Sequence, residues 1–132
     1  ITVYEGRKFR RLVWGAIKTT FRVFKLWDAL LILLRTLRVS GLYEPPGKDS
    51  WFMANGAVMP ECRGKGIFTQ FVNDYLLPQV PAHIKELELD VGLDNPAAQA
   101  LYERLGFEVK GIHPWKGRAD IDGVVRMIRT LQ

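Results

Sequence analysis

Val58-Met59-Pro60-Glu61-Cys62-Arg63-Gly64-Lys65-Gly66-Ile67 is the stretch on which the fold turns. Trp51 to Met59 reads as a strand stopped by Pro60, Arg63 to Gly66 as a tight loop, and Ile67 to about Leu77 as a helix closed by Pro78 and Pro81. A strand that feeds a glycine turn and opens at once into a helix leaves unpaired N–H groups at the helix start. Together with the helix dipole these form a cradle for phosphate. Two familiar nucleotide loops do not fit: Gly66 follows Lys65 where the Walker loop needs Ser or Thr, and Thr69 stands where the dinucleotide fingerprint needs its third glycine. A plain strand-to-helix turn would carry the same short Gly-x-Gly.

Downstream, Lys85 to Val91 alternates, with Leu87, Leu89 and Val91 on one face and Glu86, Glu88 and Asp90 on the other. Asp94 or Asn95 caps a helix with Pro96 in its first turn and Gly106 at its C-terminal cap. Asn95 and Tyr102 lie two turns apart on one face of that helix, beside an Ala98, Leu101 and Leu105 stripe. Phe107 to Ile112 and Val124 to Ile128 read as a final strand pair around a loop ending in Asp122-Gly123. The strand–helix–strand unit predicts a parallel pair and the terminal hairpin an antiparallel edge, hence an α/β chain with a mixed sheet.

Upstream, residues 1–4 read as the end of a strand turning at Glu5-Gly6, and Phe9 to Val39 as a helical block. The block is expected in two pieces, weakened around Gly15 and the Thr19-Thr20 pair. Phe24, Trp27, Leu31 and Leu34 share a face widened by Leu30 and Leu37, which is expected to pack on the protein's own sheet or on a second copy, with a membrane surface as the other reading. Gly41 is expected to end the helix, with a loop from Tyr43 to Asp49. The longest apolar stretch, Leu26 to Leu34, is interrupted by Asp28 and is far shorter than the ~18 residues of a transmembrane span.

The formal net charge of +5 divides unevenly. Residues 1–40 hold nine Lys/Arg against Glu5 and Asp28, a net +7, and residues 41–132 carry −2. The basic character belongs to one segment, so nucleic acid is not expected as a partner. A single cysteine excludes an intrachain disulfide and makes a reducing, cytoplasmic setting the default. At 132 residues one core is expected, a single domain over 1–132 with the strand end, basic block and loop in 1–50 and the chemistry in 51–132.

Arg63-Gly64-Lys65-Gly66-Ile67 after Val58-x-Pro60-Glu61, followed about 30 residues later by Asn95-x-x-Ala98-x-x-Leu101-Tyr102-x-x-x-Gly106-Phe107, resembles the GNAT superfamily of acetyl-CoA-dependent N-acetyltransferases. The resemblance runs from about Trp51 to the C-terminus. It implies a GNAT-like acyl-CoA N-acyltransferase fold that moves an acetyl group from acetyl-CoA, the co-substrate, to an amine by direct attack. By position it implies that Arg63, Gly64, Lys65, Gly66, Ile67 and Phe68 hold the coenzyme A pyrophosphate, and that Ala57, Val58 and Met59 bind the pantetheine and thioester through their backbone. Asn95 is implied as a further cofactor contact and Tyr102 as the acid that protonates the departing thiolate. A domain that only binds or senses acyl-CoA is the alternative.

Three positions depart from the family pattern. Glu61 replaces the usual Gln or Arg, Phe68 is bulkier than the usual small residue, and the family's early strand–helix–helix–strand elements have no counterpart. The fold is therefore expected to be N-terminally incomplete, with the helical block read as an insertion before the cofactor-binding strand rather than as a remnant of the early helices. The acceptor is read as a small-molecule or peptide amine, and the block as a face through which two copies could pair.

Other candidates are weaker. Glu86, Glu88 and Asp90 could serve a cationic amine as base, but alternation of this kind marks a solvated or helix-covered face more often. Cys62 has no nearby histidine and reads as a packing residue. His83 is expected in a solvated loop, and His113-Pro114-Trp115 in the last hairpin's loop, as an acceptor contact or an aromatic anchor. No cluster has the spacing of metal ligands.

Overall fold

Alternation along β3 (Glu86–Gly92) organises the molecule, because its two faces meet two different helical layers. Leu87, Leu89 and Val91 are buried in an apolar core with Met53, Val72, Leu76, Leu105, Phe107, Val125 and Met127. Full burial of each such side chain is worth about 1.5–3 kcal/mol, and this layer is the main cohesive element. The structure is a computed structural model that describes residues 1–40, 44–114 and 122–131, with the backbone alone for 38–40.

The five strands are β1 (Thr2–Glu5), β2 (Ser50–Ala54), β3, β4 (Glu108–Pro114) and β5 (Gly123–Thr130), ordered β1-β2-β3-β5-β4. β2 and β3 are parallel and the other pairs antiparallel, the expected mixed sheet. α1 (Phe9–Val23) and α2 (Leu26–Ser40) connect the neighbouring strands β1 and β2. α3 (Ile67–Gln70) continues through a π-helical turn, Phe71–Leu76, into a 3-10 turn, Leu77–Gln79. α4 is Pro96–Arg104.

The helical block does come in two pieces, but the break lies elsewhere. α1 passes through Gly15 and the threonines, where Thr20 Oγ1 donates to the Ala16 carbonyl at 2.9 Å. Glycine costs a helix about 1 kcal/mol, too little to end one that is otherwise bonded throughout. The chain leaves the helix at Phe24 (φ −103°, ψ 152°), whose N–H still reaches the Thr20 carbonyl at 3.0 Å. Phe24 is therefore outside α2.

Of the face expected to pack on the sheet or on a second copy, Trp27, Leu30, Leu31 and Leu34 do not pack on the sheet and are exposed, while Leu37 lines the cavity beneath the helices and α2 turns Ala29 and Leu33 inward. β2 is also shorter than the expected 51–59 strand, because Asn55 adopts a left-handed conformation (φ 54°) and takes the chain out of the sheet. The expected helix end at Gly41, Tyr43 of the loop and Trp115 lie outside the described residues. His113 and Pro114 fall within β4 rather than in the hairpin loop.

A close backbone approach locks β1 to the loop before β2. A Cβ on Gly6 would lie 1.7 Å from the Gly47 carbonyl oxygen, so only glycine fits. Arg7 bonds Asp49 beside it, and the Gly47 N–H donates to Glu88 Oε1 at 2.7 Å.

Candidate active site

Two cavities flank the end of β2. Pairing between β2 and β3 stops at Met53–Leu89, whereas β3 stays paired to β5 as far as Gly92. The unpaired segment 55–59 then leads into the glycine loop, and a groove of about 730 Å³ opens between it, α3 and α4.

The groove's floor follows from local backbone demands. Gly64 (φ 73°) and Gly66 (φ 72°) hold left-handed conformations that L side chains resist, and a Cβ at either would meet nothing within 4 Å. The glycines are needed for the path of the chain and not for close packing. Helical bonding begins with the Gln70 N–H to the Gly66 carbonyl at 2.9 Å, so the N–H groups of Ile67, Phe68 and Thr69 precede it and have no helical acceptor. Arg63 folds back, its Nε donating to the Val58 carbonyl at 3.1 Å and closing the loop.

Across the groove Asn95 caps α4, its Oδ1 accepting from the Ala98 N–H at 3.1 Å. That leaves the Nδ2 donors as the part of Asn95 available to a ligand. Gln99 Nε2 donates to the Gly92 and Leu93 carbonyls at 2.9 and 3.2 Å and braces the turn that places α4, a role sequence reasoning missed. Tyr102 is held between Phe68 and Phe107, each ring edge-on with its centroid 5.8 Å away. Burial pushes its phenol above the ordinary value, so it stays protonated at neutral pH.

Of the residues singled out from sequence, Ala57, Val58, Arg63, Gly64, Gly66, Ile67, Phe68, Asn95 and Tyr102 all line this groove. Met59 and Lys65 do not, and Met59 is 64% exposed. Cys62, half-buried, lines it too. The bulk of Phe68 is accommodated because position 56 is glycine: a Cβ there would sit 3.2 Å from the Phe68 ring. Unpaired N–H groups and glycines with open space around them suit a phosphorylated ligand, with the Tyr102 phenol across the gap.

The second cavity, about 920 Å³, lies on the opposite face of the sheet beneath α1 and α2. Its walls are mostly apolar, with Asp90, Arg126, Glu44, Arg35 and Asn55 among the polar points. Arg126, 1% exposed, donates from Nη1 to Glu88 Oε2 (2.9 Å) and from Nε and Nη2 to the two oxygens of Asp90 (2.5 and 3.0 Å). It also donates from Nη2 to the Glu44 carbonyl (2.6 Å) and lies 5.1 Å from the centre of the Phe52 ring. Burial works against the charge of Arg126, but Asp90 and Glu88 outweigh it and raise its pKa. Burial also opposes the Glu88 charge, yet the Gly47 N–H, the Ser50 hydroxyl, Lys110 and Arg126 together hold the carboxyl below its usual value. Of the two readings of the strand's acidic face, solvated or helix-covered, the covered one holds here: Glu88 is fully buried and Asp90 engaged, which argues against either as a free base. Sequence pairing could have flagged the triad, since Arg126 lies directly across the sheet from Asp90.

His83 is exposed, as expected. His113 Nε2 lies 3.7 Å from Glu44 Oε1. Among the described residues no three His, Cys, Asp or Glu side chains gather as metal ligands, and no helix is long and apolar enough to cross a membrane.

This fold and groove define a class. The sequence profile of the Acetyltransferase (GNAT) family matches residues 32–107, more than half of the chain, and the chain belongs to that family. It is 30% identical over 67 residues to an L-2,4-diaminobutyric acid acetyltransferase from Vibrio parahaemolyticus, covering 51% of this chain and 37% of that protein. Among solved structures it resembles the ribosomal-protein-S18-alanine N-acetyltransferase of Escherichia coli (TM-score 0.56, 24% identity, 67% of this chain and 58% of that one). It also resembles a Bacillus subtilis acetyltransferase in complex with CoA (TM-score 0.54, 19% identity, 64% of this chain and 62% of that one). The chain spans about a third of that curated relative and roughly three-fifths of these solved chains. At these identities the solved structures establish the fold.

Proposed function

We propose that this chain carries the acetyl-CoA site of an N-acetyltransferase and that an amine reaches the acetyl group from the cavity beneath α1 and α2. One observation carries the reading: consecutive residues line the two cavities. Ala54 and Asn55 line the cavity and Gly56 lines the groove, at the point where β2 has lost its pairing to β3.

The N–H groups at the start of α3 and the Asn95 amide hold the cofactor, and the backbone of 57–58 lies alongside its thiol arm. When bound, acetyl-CoA supplies an acetyl group activated as a thioester. Tyr102 holds a phenolic proton that burial retains at neutral pH, ready for a thiolate leaving the groove. The apolar walls of the cavity exclude water and favour the uncharged, nucleophilic form of an amine. With Glu88 and Asp90 engaged by Arg126, neither is free to take the proton from the amine. Membership of the family and the CoA-bound neighbour support this assignment.

Thiol release from acetyl-CoA, followed over a panel of small and peptide amines, tests the reading. Amine-dependent release that falls at least about a hundredfold in Tyr102→Phe, with cofactor affinity retained, is the expected result. Cofactor binding without release for any amine would make this a binding or sensing domain instead.

A further inference from the structure

The outer side of the helical pair has no role in the groove or the cavity. At the joint between α1 and α2, Val23, Phe24, Leu26 and Trp27 follow one another with only Lys25 between them, 67%, 49%, 69% and 75% exposed. Helical spacing carries the patch along α2 to Leu31 and Leu34, 55% and 49% exposed, while Ala29 is turned inward and fully buried. α2 is thus apolar on both sides, and among the described residues nothing covers its outer one.

Charge identifies what does. Arg22 and Lys25 are exposed at the joint, and Arg11 and Lys18 extend the Arg22 stripe along α1 at helical spacing. Asp28 is the only acid between residues 6 and 40. A second copy placed on this face would set two +7 segments against each other, whereas an anionic bilayer offers phosphates to the cations and an acyl boundary to the apolar joint. We infer that the α1–α2 joint docks on a bilayer containing anionic lipid, with Val23, Phe24, Leu26 and Trp27 in the headgroup region and Arg22, Lys25 and Lys18 against lipid phosphates. The helices lie on the surface and do not cross it, since the apolar stretch from Leu26 to Leu34 is far below the ~18 residues a span requires. The inner faces of the same helices wall the 920 Å³ cavity, so docking brings that cavity close to the membrane.

Co-sedimentation of the full chain with vesicles tests this. Mixed phosphatidylcholine–phosphatidylglycerol vesicles should bind it roughly tenfold or more tightly than pure phosphatidylcholine, and added salt should reduce the difference. Trp27→Ser with Leu26→Ser, and separately Arg22→Glu with Lys25→Glu, should each lower binding about tenfold or more while thermal melting and acetyl-CoA affinity stay unchanged. Equal binding to both vesicle types, or none to either, overturns the inference. So does a concentration-dependent dimer in sedimentation velocity that Trp27→Ser with Leu26→Ser dissolves while vesicles are ignored; the face would then belong to a second copy.

Discussion

The Phe68 ring meets Tyr102 edge-on at a centroid distance of 5.8 Å, and the room for it is the missing side chain of Gly56. A residue that departs from the family's small-residue pattern thereby helps to position the phenol on which the proposed proton transfer depends. Gly56→Ala sets a methyl 3.2 Å from that ring and forces the pair to shift. The expected outcome is a fall in kcat of about tenfold, with less than about 1 kcal/mol lost in stability. Phe68→Leu, which removes the edge contact itself, should lower kcat by a similar factor, as steady-state kinetics of the two variants would reveal.

Gly66→Ala places a side chain on a left-handed backbone, a cost of about 1–2 kcal/mol. Because a Cβ there meets no neighbour, the loop is expected to re-route rather than to clash. Acetyl-CoA affinity should fall more than the melting temperature does, measured by titration and by thermal denaturation of the same sample.

Arg126→Met removes the cation from two carboxylates, one fully buried and one engaged beneath the helices. Breaking a buried ion cluster from one side costs about 3–5 kcal/mol. Arg126→Met combined with Glu88→Gln and Asp90→Asn should be more stable than Arg126→Met alone, a comparison that denaturant unfolding can make.

Glu88 also sets a pH dependence. Its folded pKa lies below the unfolded value, so its contribution to stability is fully present above the ordinary carboxylate pKa of about 4.3 and is lost as pH falls through the folded value. The melting temperature should decline below about pH 4, and Glu88→Gln should flatten that decline.

Tyr102 acts in the other direction. Burial raises its pKa, so amine-dependent kcat should rise with pH as the amine loses its proton and should fall only above the ordinary phenol range, beyond about pH 10. A descending limb near neutrality would exclude Tyr102 as the acid.

The groove was legible in the sequence because its parts obey local rules. Gly64 and Gly66 mark left-handed turns, Asn95 and Pro96 mark a helix start, and a spacing of seven puts Tyr102 on the face of Asn95. The sheet followed from the alternation of Leu87, Leu89 and Val91. What escaped depended on partners distant in the chain. Glu88 read as an acid on a solvated or helix-covered face, and nothing local showed that Arg126, 38 residues on, reaches it from β5. The orientation of α2 escaped for a related reason: both of its sides are apolar, so periodicity alone could not say which one meets the sheet. The helix break was misplaced because propensity at Gly15 weighs less than a continuous run of backbone bonds.

The central claim is that the groove between the glycine loop and α4 holds acetyl-CoA. Calorimetric titration of the full chain with acetyl-CoA tests it most directly. One-to-one, saturable binding that Gly66→Ala weakens and Trp27→Ser leaves unchanged is the predicted result. A folded chain that takes up no acetyl-CoA at high micromolar concentration would contradict it.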